Sequence, residues 1–563
     1  MRHWPRSVGS VVLSALLIPA MLLAQPEKQK GLESITPEAV RAQLEFLASD
    51  WTEGRSTTER GAYMASDYIA SMFRLYGLKP YGDTESREDG RLRRRSARPA
   101  QSERSYFQTI NFVETRPGDS QVLALRSGEG DARQSMTFAY RTDFMVDVSD
   151  VGVELAAPVV FVGYGMADEK EGYDDFDGVD VRGKFVLRLT GFPGHSDTSS
   201  QAYKKFRADS AAMEWRRDQA KNDLARKHGA IGILEFSAQG DPTKNWADNV
   251  PFRVNLPYYE GDPRRMQVRE PRLTIPADTM SGGLTRVVIT RRVASEVLRG
   301  SGITAQSFEQ YAREKMKPQS RPLKGKNVLL TTTVQSRIVA GRNVIGVLEG
   351  EKADEVVVLG AHYDHVGTRE GYIWNGADDN ASGTVGIMTI ARAFAAAGVK
   401  PKKTIVFAAW TGEEKGLLGS EYFVDHPPVP LAQIVMNLNY DMIARDAADD
   451  SLGVRCGAFY TQAYGELRDI VERNNAESKL GLELRIRGSD RPSGGSDHAS
   501  FAAKEIPVLG FMAAMHPDYH LPSDDVAKVN WKKMTAIIRL GYLTTWDIAA
   551  KPGKLQASAP AVK

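Results

Sequence analysis

A run of β-branched and apolar residues, Val356, Val357, Val358 and Leu359, leads through Gly360 and Ala361 to His362, Tyr363, Asp364 and His365. Such a run reads as a buried strand. The loop beyond it carries Asn375, Gly376, Ala377, Asp378, Asp379 and Asn380. The pattern recurs. A second run, residues 404–410, ends in Thr411, Gly412, Glu413 and Glu414; a third, 434–440, ends in Asp441; a fourth, 506–511, is followed by His516 and His520. Four strands therefore deliver imidazole or carboxylate groups just past their carboxyl ends, where open α/β sheets place their ligands.

From Gly346 onward strands alternate with helical patterns. The clearest helix covers residues 381–397, small and apolar, with Asn380 near its start and Gly398 after it. This alternation predicts an α/β fold, a mostly parallel mixed sheet sandwiched by helices. Residues 35–78 read as two amphipathic helices divided by a polar break at 50–58. Thr36, Pro37 and Glu38 mark the first helix start. Residues 151–302 differ in character: strand runs at 159–162, 184–189 and 230–234, a charged helix at 202–227, and no ligand cluster. His195 and His228 stand alone there and read as surface histidines. The stretch reads as an inserted small β-rich domain, which suits a chain of 563 residues.

Lys and Arg total 73 against 71 Asp and Glu, a net charge of +2, so no strong field points to nucleic acid. The charged stretch 85–104, with Arg91, Arg93, Arg94, Arg95 and Arg98, has acids beside it and no interleaved aromatics, and reads as a solvated loop. Arg2 and Arg6 precede an apolar segment at 11–24, the pattern of a secretory signal cleaved after Ala24. No later run approaches the ~20 apolar residues of a spanning helix. Cys456 is the only cysteine, so no internal disulfide forms. An exported, disulfide-free protein of a bacterial periplasm or secretion is expected.

Imidazole and carboxylate are zinc-type donors. Two zinc ions ~3.5–4 Å apart share a water and clamp both oxygens of a developing tetrahedral intermediate. One carboxylate between them offsets their repulsion, and each needs further His or carboxylate donors plus an open position. Another carboxylate must stay off the metals to move a proton from the water to the leaving group. Adjacent glutamates after a strand divide those jobs, because successive extended residues point to opposite sides.

The sequence resembles the co-catalytic zinc metallopeptidases that include bacterial leucyl-type aminopeptidases and the glutamate carboxypeptidases. The motifs that carry the resemblance are Gly360-Ala361-His362-Tyr363-Asp364, Asn375-Gly376-Ala377-Asp378-Asp379-Asn380-Ala381-Ser382-Gly383, Gly412-Glu413-Glu414-Lys415-Gly416, Asn439-Tyr440-Asp441-Met442, Ser496-Asp497-His498 and Tyr519-His520-Leu521-Pro522-Ser523-Asp524. Residues 173–178 ahead of Arg182, Gly183 and Lys184 look like the protease-associated domain often inserted in that family.

The resemblance implies two zinc ions per chain, with Asp378 bridging them, His362 and Asp441 completing one site and Glu414 and His520 the other. Glu413 would be general base and then acid, and Asp364 would orient His362. A cis peptide is expected at Asp378–Asp379. Leu521 departs from a common threonine. His365 and His498 are extra imidazoles outside the metal set, His498 lining the pocket or supporting it. The implied domain order is a signal peptide at 1–24, the N-terminal part of the catalytic domain at 31–147, the inserted domain and linker at 148–320, the catalytic core at 321–550 and a flexible tail at 551–563. The implied activity is an exported aminopeptidase acting on peptide substrates. Alternatives are a glutamate carboxypeptidase-like enzyme, for which Arg485, Arg487 and Arg491 are pocket candidates, a glutaminyl cyclase-like transferase, and a non-catalytic binding protein.

Overall fold

The computed structural model describes residues 25–85, 103–128, 134–140, 142–146, 151–207, 211–238, 271–276, 284–369, 371–492 and 494–557. The expected signal segment and the arginines at 91–98 lie outside the described residues. The chain divides into two compact units, one of residues 1–111 and 340–563, the other Phe112–Val339.

The first unit opens with helices α1 (Gln25–Ser34), α2 (Pro37–Leu47) and α3 (Arg60–Leu75). Thr36 caps α2, its Oγ1 accepting the Ala39 N–H at 3.2 Å, with Pro37 at the first turn where a missing N–H costs nothing. The sheet of this unit is built from β1 (Arg321–Leu348, of which residues 344–348 pair here), β2 (Lys352–His362), β3 (Lys403–Trp410), β4 (Ile434–Tyr440), β5 (Arg455–Thr461), β6 (Glu483–Ser489) and β7 (Val508–Met512). Their order is β6-β5-β7-β4-β2-β3-β1. The four central strands β7, β4, β2 and β3 are parallel, β6 pairs parallel to β5, and β1 on β3 and β5 on β7 are antiparallel. The sheet is the expected mostly parallel, mixed one.

Side-chain alternation along these strands builds two layers. Val357, Leu359, Ala361, Ile405, Phe407 and Ala409 pack with α2, α3, α4 (Gly383–Ala397) and α8 (Trp531–Ala550). Val356, Val358, Val406, Ala408 and Trp410 face the other way, toward α5 (Leu418–Asp425) and α7 (His498–Ala503). Between α5 and α7, α6 (Glu466–Glu477) adds Leu467 and Val471 to the first layer. Helices on both faces explain the unbroken apolar runs of β2, β3, β4 and β7, which are buried on both sides. Gly360 is required by this packing: a Cβ there would lie 2.5 Å from Trp410 Nε1. The expected helix at 381–397 starts at Gly383, after an irregular turn, Ala377–Ser382. None of the described helices is long and apolar enough to cross a membrane.

The second unit carries its own core of strands Val153–Phe161, Phe185–Leu189, Gly232–Phe236 and Thr285–Ile289, paired parallel in that order, with helices such as Ala211–Lys227 and Arg291–Leu298 between and after them. Among its described residues, strands make up more of this unit than helices do, with the helices set beside a parallel four-stranded core. The unit is wider than 148–320. Strand Phe107–Ser127 pairs with Gln134–Phe138 and Arg272–Thr274, and residues 321–332 pair with Val153–Phe161, so those flanking stretches pack within this unit. His228 is exposed as expected, and His195 is half-buried beside Tyr164 and Phe192.

Candidate metal centre

The carboxyl ends of β2, β3 and β4 bring their ligand-type side chains together in the first unit. His362 closes β2. Its Nδ1 lies 3.1 Å from the Asp364 backbone oxygen and its own carbonyl accepts the Thr384 hydroxyl at 2.8 Å. The ring is thereby fixed with Nε2 facing three carboxylates: Asp379 Oδ1 at 3.5 Å, Asp441 Oδ1 at 3.6 Å and Glu413 Oε2 at 3.8 Å. A second group gathers about His520. Its Nε2 is 2.9 Å from Asp379 Oδ2 and 3.1 Å from Glu414 Oε1. His365 joins it, with Nδ1 2.9 Å from the same Glu414 oxygen.

The two groups, His362 with Glu413 and Asp441, and His365 with Asp379, Glu414 and His520, each hold donor atoms within 4.8 Å of one another. Asp379 joins them, one oxygen to each side. Glu413 and Glu414 separate, one to each group, at a turn in which Gly416 N–H donates to Glu413 O at 2.8 Å rather than on the extended backbone expected.

The structure brings together six of the seven residues expected from the sequence and displaces the seventh. Asp378 lies in neither group. Its Oδ1 accepts the Ala444 N–H at 2.6 Å and the Ser382 hydroxyl at 3.2 Å, and its Oδ2 is 3.2 Å from His516 Nε2. Its neighbour Asp379 lies between the two groups instead. The reason is the turn Ala377–Ser382, whose backbone is pinned by Asp524: Oδ2 accepts the N–H groups of both Asp378 and Asp379 at 3.0 Å. The cis peptide falls at Asp379–Asn380 rather than one bond earlier. Asp364 differs in detail too. It orients His362 through its backbone carbonyl, while its carboxylate, 3.9 Å from Nδ1, accepts the Thr57 hydroxyl at 2.6 Å and the Glu413 N–H at 3.2 Å. His365, which the sequence reading kept apart from these residues, lies beside Glu414 and His520. His498 stays outside, buried against Phe459 with ring centroids 4.3 Å apart.

Two further residues bear on the site: Arg55, which gave no sequence signal, and Asp497, which stood in a resemblance motif without an assigned role. Arg55, fully buried, donates from Nε to Tyr363 O at 2.8 Å, from Nη1 to Leu47 O and Asn375 O at 2.6 Å, and from Nη2 to Gly376 O at 2.9 Å. Burial lowers it to about 10, opposed by Asp379, Asp524, Asp364 and Glu414, so it remains a cation at neutral pH. Asp497 is buried beside the His362 group, and burial, aided by Asp441 and Asp364 and opposed by His362, lifts it to about 7. Burial, reinforced by Glu414, Asp497 and Asp441, likewise holds Glu413 well above the ordinary carboxylate range, against the pull of His362.

The donor set fits divalent cations. Asp441 Oδ1 is buried without a hydrogen-bond partner among the described residues, and Asp379 Oδ2 is buried facing imidazole nitrogens. Buried carboxylate oxygens without donors are costly unless a positive charge meets them. Mixed imidazole and carboxylate donors suit zinc.

Residues 343–543 match the family model described as Peptidase family M28. Leupeptin-inactivating enzyme 1 of Streptomyces exfoliatus is 31% identical over 187 residues, 32% of this chain and 39% of that protein. Leucine aminopeptidase 2 of Trichophyton equinum is 29% identical over 213 residues, 33% of this chain and 41% of that protein. A probable glutamate carboxypeptidase of Arthroderma benhamiae is 34% identical over 219 residues, 36% and 29% of the two chains. The chain thus spans about two fifths or less of the length of these relatives. A solved aminopeptidase from Aneurinibacillus sp. strain AM-1 shares the fold, with a TM-score of 0.56 and 17% identity, over 94% of this chain and 98% of that one.

Proposed function

We propose that this chain is an exported metallo-exopeptidase of the M28 type, an aminopeptidase that removes residues from the N-terminus of peptides. The observation that carries the reading is the position of Asp379, with Oδ1 3.5 Å from His362 Nε2 and Oδ2 2.9 Å from His520 Nε2. A carboxylate shared between two donor groups suits a pair of zinc ions, held by His362 and Asp441 on one side, Glu414 and His520 on the other, and Asp379 between. Bound there, the ions would supply Lewis acidity toward a carbonyl oxygen and toward water.

The chain's own groups do the rest. Glu413, with its proton affinity raised by burial and neighbouring carboxylates, takes a proton from the attacking water and returns it to the leaving amine. Asp364 holds the Glu413 backbone N–H and so sets where both glutamates point. Asp497, buried beside the His362 group and given neither to zinc nor to proton transfer, adds a carboxyl there that suits the α-ammonium end of a peptide better than its carboxylate end. Arg485, Arg487 and Arg491, the candidates for a carboxylate pocket, are exposed, and Arg485 pairs with Glu483 at 2.5 Å. The basic and apolar pattern of residues 1–24 supports export.

The test is a peptide panel offered to the zinc-loaded protein with free and acetylated N-termini, the released amino acid being identified. Release of the first residue from free-amine peptides alone establishes the aminopeptidase. Release of the last residue with the acetyl group tolerated moves the protein to the carboxypeptidase reading.

A further inference from the structure

His365 is an imidazole for which the ligand set above has no use. Its backbone is fixed: the N–H donates to Arg55 O at 3.1 Å and the residue bridges to Ser56. Its side chain is wholly buried. The ring lies against Gly376, where φ is +53° and an added Cβ would come within 2.6 Å of the imidazole Cδ2 and Cγ. A glycine is needed there for both reasons, and the contact pins the ring with Nδ1 toward the carboxylates.

Nδ1 lies 2.9 Å from Glu414 Oε1 and 3.9 Å from Asp379 Oδ2. These are the two oxygens that His520 Nε2 faces at 3.1 and 2.9 Å. Two imidazoles therefore converge on one pair of carboxylate oxygens, with rings 5.6 Å apart and edge to face. Zinc–nitrogen and zinc–oxygen bonds of ~2.0–2.1 Å in a tetrahedron give donor separations of about 3.3–3.4 Å. The four separations here bracket that value. Three protein donors, His362, Asp441 and Asp379 Oδ1, are available on the other side, with Glu413 reserved for the proton.

Resting on the metal reading above, we propose that His365 Nδ1 is a fourth protein donor to the ion held by Glu414, His520 and Asp379. The two positions are then unequal. The His365 position is closed and fills first. The His362 position, with three protein donors, is the one that opens to water and substrate.

The test uses the full chain, stripped by chelation and titrated with Co2+ followed by calorimetry and by proton NMR. Each imidazole on cobalt gives a strongly shifted ring N–H signal. The wild type should take two ions in separated steps, and the one-cobalt form should show two such signals, from His365 and His520. In H365Q one signal disappears and the first step weakens by tenfold or more, while the second step stays in place. H365A provides the same comparison if glutamine itself contacts the ion, and thermal melts of the metal-free forms check that each variant folds. A single shifted signal in the one-cobalt wild type, unchanged in H365Q, would overturn the proposal and leave His365 as a hydrogen-bond donor to Glu414. A wild type that takes fewer than two ions would instead overturn the two-metal reading on which it rests.

Discussion

Asp524 holds Asp379 by its backbone, with Oδ2 accepting the Asp379 N–H at 3.0 Å and the Asp378 N–H at the same distance. This grip decides which of two adjacent aspartates faces the imidazoles. Asp379 is sent between His362 and His520, and Asp378 is turned toward Ala444, Ser382 and His516. The two substitutions should separate cleanly. D379A should abolish stoichiometric zinc uptake, measured by metal analysis after gel filtration. D378A should keep both ions and instead lose about 1–3 kcal/mol of stability, because the Ala444 N–H is left buried without its acceptor. A D378A protein without metal and a D379A protein with two ions would return the bridge to Asp378.

Glu413 and Asp441 lie in the same group around His362, yet only Glu413 is assigned a proton to carry. E413Q keeps the shape and removes the base. Turnover should fall by about 10²–10⁴-fold with both metals retained, the range expected for loss of a positioned proton carrier. Peptide hydrolysis and metal content measured on the same sample check this. Near wild-type turnover in E413Q would remove the residue from the proton path.

Arg55 ties four backbone carbonyls, those of Leu47, Tyr363, Asn375 and Gly376, to one buried guanidinium. A lysine keeps the charge but not the planar fork, and a compact ammonium does not span those acceptors. R55K should lower the free energy of unfolding by about 3 kcal/mol, read from urea midpoints at constant m-value. The loops it ties carry His365 and Asp379, so metal affinity should fall with stability. An R55K protein with an unchanged midpoint would show that the carbonyls find other donors.

The strands and the residues at their ends were legible because burial on both faces leaves unbroken apolar runs, and because imidazole and carboxylate stand out where such runs stop. The exchange of Asp378 for Asp379 was not legible. Both sit in one irregular turn whose backbone direction is set by Asp524, which is distant in sequence. Arg55 left no pattern because its partners are main-chain carbonyls, and the segment around it shows only as a polar break between helices. His365 was visible as an extra imidazole, but its meeting with Glu414 depends on the parallel pairing of β2 with β3. The length of β1 was not legible, because Pro322 and Gly325 interrupt the strand pattern where the strand passes through a register shift between Pro322 and Asn327.

His498 supplies a pH dependence apart from the metal donors. Burial lowers its imidazole from 6.5 to about 4. In the unfolded chain the ring takes up a proton near 6.5, whereas in the folded chain it stays neutral until about pH 4. The depressed folded value therefore contributes stability that is fully present above pH 6.5 and is lost as pH falls toward 4, by roughly 3 kcal/mol at most. Phenylalanine fills similar space beside Phe459 and does not titrate. The unfolding free energy of metal-free H498F should therefore rise relative to wild type by up to about that amount between pH 6.5 and pH 4. Denaturant melts of both proteins across that window measure the difference directly, and parallel curves would show that His498 titrates alike in the folded and unfolded chains.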